Sequence, residues 1–153
     1  MANKYKLDES DTIKAGGKTL YRIVALKSFS DVKEGDTGGY IESEENLSQE
    51  GDCWVYHDSM VYEHATVTDN AVITNDAIVY DNAKVADYGA VAGNVKLHGN
   101  CQVLDSGAIV ANDGSVDFSG DITVSGQAAI KPFSNLKISG DIAFTDNNTV
   151  GTL

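Results

Sequence analysis

From Trp54 to Asp113 the chain reads WVYHDS MVYEHA TVTDNA VITNDA IVYDNA KVADYG AVAGNV KLHGNC QVLDSG AIVAND, ten successive hexads. The second position of each is Val55, Val61, Val67, Ile73, Val79, Val85, Val91, Leu97, Val103 and Ile109, aliphatic without exception. Four positions later stand Ser59, Ala65, Ala71, Ala77, Ala83, Gly89, Val95, Cys101, Gly107 and Asp113, nearly all small. Turn formers lie between them, as in Asp69-Asn70, Asn75-Asp76, Asp81-Asn82 and Gly93-Asn94, residues that tolerate left-handed backbone angles. A short strand points one aliphatic inward and its two neighbours outward. A tight corner with room for only a small side chain follows. Three such sides close a triangular coil of about 18 residues, and coils stack at roughly 4.8 Å. An amphipathic helix would need apolar residues three and four apart, which this run lacks. The chain therefore reads as an all-β protein, a parallel β-helix with hexapeptide repeats whose spacing resembles the left-handed type.

The texture changes at Gly114, where the register slips by one residue. Each strand then carries two apolar residues on one face: Val116/Phe118, Ile122/Val124, Ala128/Ile130, Leu136/Ile138 and Ile142/Phe144. The step of six continues except across Lys131–Asn135, which adds two residues and holds the only proline, Pro132. This predicts further coils with a fatter core over 114–146 and a polar tail to 153. These coils also resemble right-handed β-helices, so their hand stays open. Residues 1–53 do not repeat. Thr19–Leu26 reads as a strand, and the segment as a β-rich N-terminal cap that hides the open end of the solenoid.

The formal charge of −12, from 11 Lys+Arg against 23 Asp+Glu, argues against binding nucleic-acid phosphates. No apolar run is long enough to cross a bilayer and no basic-then-apolar leader opens the sequence, so the expectation is a cytoplasmic protein without membrane contact. Cys53 and Cys101 both fall at the small corner position, but their separation is not a whole number of coils, so they sit at different corners. Both read as buried small residues rather than a disulfide or metal pair.

The motifs Leu20-Tyr21-Arg22-Ile23, Gly38-Gly39-Tyr40-Ile41-Glu42-Ser43 and Asn46-Leu47-Ser48-Gln49-Glu50-Gly51, running into the hexads, resemble a family of uncharacterised hexapeptide-repeat proteins common in phages and prophages. The resemblance spans residues 4–113. It implies a left-handed β-helix, and for a phage-encoded chain a location in the host cytoplasm. Members are often described as transferases, a label that rests on analogy of fold.

Three histidines are candidates for a general base. His57 and His64 occupy turn positions beside Asp58 and Glu63. Counting three hexads per coil puts Tyr62, Tyr80 and His98 in one outward column, an aromatic ladder that stabilises neighbouring strands. The three histidines sit at different hexad positions on different levels, so no metal site is expected, and no cofactor motif appears. One side of the triangle collects Trp54, Tyr56, Val72, Thr74, Ala90, Ala92, Ala108 and Val110, with no charge over four coils. Such a stripe marks an interface with another subunit, most simply in a homotrimer, or is covered by the chain's own cap or tail.

These features lead to a non-enzymatic, phage-associated interaction or structural protein that presents a rigid acidic surface to a host protein, a defence component included. The alternative is a hexapeptide-repeat acyltransferase that uses an acyl-CoA donor, with His57, His64 or His98 as base.

Overall fold

The computed structural model describes residues 3–132, 134–146 and 149–151. An antiparallel cap comes first: β1 (Tyr5–Ala15), β2 (Lys18–Ala25) and β3 (Thr37–Ile41), with β2 pairing both neighbours. The solenoid strands follow: β4 (Trp54–Val55), β5 (Met60–Val61), β6 (Thr66–Val67), β7 (Val72–Thr74), β8 (Ile78–Val79), β9 (Lys84–Val85), β10 (Ala90–Leu97), β11 (Gln102–Val103), β12 (Ala108–Val124), β13 (Ala129–Lys131), β14 (Leu136–Phe144) and β15 (Thr149–Gly151). All pairings among these twelve are parallel. They form three ladders, and the result is a parallel β-helix of about five turns, ending among the described residues at β15.

One ladder stacks Val55, Ile73, Val91 and Ile109, each three hexads after the last. All ten aliphatics of the hexads are fully buried, as the period requires. The stack starts before the hexads do: Ile41 pairs with Val61 and Leu47 bridges to Val67, both across a coil two residues longer than three hexads. Asn46 locks this first coil. Its buried amide donates to the carbonyls of Glu63 and Ala65 and accepts the N–H groups of Glu42 and Ser43.

At Gly114 the slip is larger than one residue. Gly93 pairs with Ala111 but Val95 pairs with Val116, so the coil gains three residues at this corner. Asp113, which the hexad count places at a small inward corner, is exposed, because Val116 takes that place. The next coils stay wide: Val124 stacks on Val103 and Phe144 on Val124, each across two or three residues more than three hexads. Thr149–Gly151 continues the ladder on β13, within the stretch read as tail; Asn147 and Asn148 lie outside the described residues.

The acidic corners have a structural task. Asp69, Asp87 and Asp105 stand in one vertical row with left-handed φ angles of 59°, 57° and 54°. Each carboxylate accepts the N–H one coil further on, from Asp87 (3.1 Å), Asp105 (3.0 Å) and Gly126 (3.0 Å). Aspartate tolerates the left-handed angle and satisfies a backbone donor that the turn leaves unpaired. Where a side chain would strike the next coil, glycine is required. A Cβ on Gly93 (φ +89°) would sit 2.1 Å from the Ala111 carbonyl oxygen.

Candidate active site

The cap decides which outward residues are free. Trp54 is almost fully buried, with its ring edge-on to Tyr5 and Phe29 at 6.2 and 5.2 Å between centroids. It therefore leaves the uncharged stripe, because the cap folds over the first regular coil. Tyr56 is half-buried, and its hydroxyl donates to Asp31 at 2.6 Å. Burial first, and this hydrogen bond second, push the phenol far above its usual range, so it stays a neutral donor. The rest of the stripe (Val72, Thr74, Ala90, Ala92, Ala108 and Val110) is half-exposed.

At the head of that stripe Asp31, Tyr56, His57, Val72 and Thr74 line a hollow of about 400 Å³. His57 is exposed at a left-handed corner (φ +58°), and its Nδ1 lies 2.9 Å from Thr74 Oγ1 on the next coil. In the tautomer whose Nδ1–H donates to this hydroxyl, Nε2 is the ring nitrogen left without a protein partner among the described residues. The turn is held from behind by Arg22. Its guanidinium donates to the His57 carbonyl (3.1 Å), to Asp58 (3.2 Å), to the Gly38 carbonyl (2.8 Å) and to Asp11 (3.1 Å). It also stacks on Tyr40, 4.1 Å from the ring centre, and donates to that phenol.

The other two histidines stand elsewhere. His64 is exposed in a hollow with Lys18, Glu42, Ser43, Glu45 and Glu63, a mostly acidic surrounding that repels a phosphate-bearing substrate. His98 ends the aromatic column: Tyr62 and Tyr80 are parallel at 5.3 Å, Tyr80 and His98 at 4.7 Å. Its Nε2 meets Asp117 at 2.7 Å and its Nδ1 faces Asp81 at 3.4 Å. A carboxylate lies beside each ring nitrogen, so neither is free to meet a substrate. The geometry makes it a strut.

Sequence reasoning missed Arg22 and Thr74 as partners of His57. Thr74 lies one coil less one residue further on, so the contact was countable once the coil length was known. Arg22 reaches the corner only through the fold of the cap. Among the described residues no three His, Cys, Asp or Glu side chains converge as a metal site would need, and no helix is long and apolar enough to cross a membrane.

No protein-family model matches the chain. One curated relative is an uncharacterized acetyltransferase of Escherichia coli K12, YdcK, 38% identical over 52 residues. The matched stretch is 33% of this chain and 16% of that protein, so the chain spans less than a fifth of the relative's length. Together with the β-solenoid, the match supports a hexapeptide-repeat β-helix. It also overturns the leading expectation of a non-enzymatic interaction protein, because the similarity found is to a protein described as an acetyltransferase.

Proposed function

We propose that the chain is an acyltransferase of the hexapeptide-repeat kind, moving an acyl group from an acyl-CoA to a small amine or hydroxyl acceptor with His57 as general base. The observation that supports this reading is the anchoring of His57: one ring nitrogen tied to Thr74, the corner held by Arg22, and the side chain lining a hollow that opens onto an uncharged face. His57 Nε2 takes the proton of the acceptor as its lone pair attacks the thioester carbonyl. The tetrahedral intermediate collapses, the C–S bond breaks, and the leaving thiolate recovers that proton from the imidazolium. The Tyr56 hydroxyl and Thr74 bound the hollow with fixed dipoles, and Val72 offers an apolar wall.

Purified protein incubated with acetyl-CoA and a panel of small amines and alcohols should release free coenzyme thiol. His57→Asn should lower kcat by about 10²–10⁴-fold while leaving the fold intact. His64→Asn and His98→Asn should retain turnover. Unchanged turnover in His57→Asn, or no saturable acetyl-CoA binding by the wild-type chain, overturns the assignment.

The same reading takes the open part of the stripe as the contact with neighbouring copies in a parallel homotrimer. Burying several hundred Å² there contributes about 25 cal/mol per Å² before the costs of association. Corner charges screened beyond roughly 8–10 Å oppose it weakly. Light scattering should give a trimer that Val72→Glu dissociates without loss of β structure. A wild-type monomer at tens of micromolar overturns the trimer.

A further inference from the structure

The chain enters its fold by burying an amine against a thiol. Lys4 is fully buried, and its Nζ donates to the carbonyls of Cys53 (2.7 Å) and Gly51 (3.2 Å). The same nitrogen lies 3.3 Å from Cys53 Sγ. The Phe29 ring closes the other side, 5.1 Å from the nitrogen to its centre. Among the described residues no carboxylate forms a salt bridge with Lys4. Cys53 is also fully buried, but its sulfur sits 3.6 and 3.7 Å from the carbonyls of Ser48 and Glu50, beneath the exposed turn Glu50–Asp52.

Burial lowers the pKa of the Lys4 amine and raises that of the Cys53 thiol. The neutral amine, with its lone pair free, is the form that acts as a nucleophile. Both shifts favour the neutral amine–thiol pair, and at 3.3 Å the amine is placed to take the thiol proton as the sulfur attacks a peroxide.

We propose that Lys4 and Cys53 form a redox-modification site at which hydrogen peroxide drives a covalent link between Nζ and Sγ. In the first step the Cys53 sulfur attacks a peroxide oxygen and the O–O bond breaks. A sulfenic acid forms and water leaves; the sulfur is oxidised by two electrons and the peroxide is reduced. In the second step Lys4 Nζ attacks that sulfur. The N–S bond forms, the S–O bond breaks, and the hydroxyl leaves with an Nζ proton as water. One peroxide is consumed, two waters are released, and the protein loses two hydrogens. The product is a sulfenamide that a thiol reductant cleaves. It ties the entry of β1 to the first coil and shortens the free chain of the unfolded state. Cys101 is the internal control: it is equally buried, its sulfur lies 3.8 Å from the Gly120 carbonyl, and no lysine contact to it is found among the described residues.

The test treats the full wild-type chain with stoichiometric hydrogen peroxide and maps it by peptide mass spectrometry. The expected product is a cross-linked peptide joining Lys4 to Cys53, about 2 Da lighter than the sum of its parts. Dithiothreitol should abolish it. The melting temperature should rise on oxidation and fall back on reduction. Cys101→Ser should keep the link, and Lys4→Arg should leave Cys53 as a sulfenic acid that dimedone traps. Recovery of wild-type Cys53 as free thiol, or as sulfinic or sulfonic acid with Lys4 unmodified, overturns the proposal. A link that retains a peroxide oxygen overturns the condensation step. The decisive reading is on the wild-type chain, so it stands even if a variant fails to fold.

Discussion

The solenoid is two materials joined at one corner. In the narrow coils of three hexads each side presents one aliphatic to the core and closes on a small residue; in the wider coils two of the three corners hold a second large one. Following one corner down the stack gives Ser59, Ala77, Val95, Val116 and Leu136; another gives Ala65, Ala83, Cys101, Ile122 and Ile142. At these two corners volume rises with coil length in the C-terminal coils, because a longer perimeter encloses a wider interior that must be filled to crystal-like density. The third corner stays small at Ala128, and the long first coil keeps Gly39 over Ser59. The left-handed turn residues change in step, from Glu63 and Asp81 to Gly99, Gly120 and Gly140 in one row. The difference teaches that the hexad is one setting of the fold, and that in the C-terminal coils perimeter and the size of two corners are adjusted together.

The largest effect should come from a charge in the narrow coils. Val79 is fully buried in the middle of its ladder. Val79→Asp leaves a carboxylate among stacked aliphatics with no partner and should cost about 3–5 kcal/mol, a large part of the roughly 5–15 kcal/mol that holds a domain together. Ile142→Asp in the last wide coil should cost much less, because that side chain is only partly buried and the carboxylate reaches water. Circular dichroism melts of the two variants measure the contrast; equal losses would mean that the wide end is as closed as the middle.

Corner size gives the next contrast. Ile122→Ala should open a cavity in a wide coil and cost about 2–5 kcal/mol. Ala83→Ile should overfill a narrow corner and cost about 1–3 kcal/mol. Both residues are fully buried on the same row of corners. Urea denaturation midpoints should fall for both. A neutral Ala83→Ile would show that the narrow perimeter yields, against the coupling of size and length.

The fold was legible because a β-helix side turns one residue inward at a constant step, and that step survives in the primary sequence as ten aliphatics. The first coil was not, since Ile41 and Leu47 stack across a longer stretch of chain that carries no hexad texture. The size of the slip at Gly114 was missed for a related reason: the extra residues lie in a corner, where composition is unconstrained by the core. Three histidines could be named from sequence, but choosing among them needed distances. Asp117 and Asp81 close on His98, while Thr74 leaves His57 open, and both facts depend on register between coils. Burial of Trp54 depends on Phe29 and Tyr5, which reach it only after the cap has folded.

The smallest effects belong to the outer surface, where the two kinds of coil differ by an interrupted column of rings. Tyr62, Tyr80 and His98 stack at 5.3 and 4.7 Å with planes within 5° and 4° of parallel. The next position outward of the core is Ser119, which follows the Phe118 stacked on Leu97. Stacked rings contribute about 0.5–1.5 kcal/mol per pair beyond the area they cover. Tyr80→Ala removes two such contacts and should cost about 1–3 kcal/mol. Tyr80→Phe keeps both rings in place and should be close to neutral. Ser119→Tyr adds a ring below His98 and should gain a few tenths of a kcal/mol, provided that the wider coil holds the new ring parallel to the imidazole. A double-mutant cycle between His98→Ala and Ser119→Tyr isolates that contact from any change in the strand itself. Zero coupling would mean that the widening turns the outward side chains away from the column, so that the corner at Gly114 resets the exposed face as well as the core.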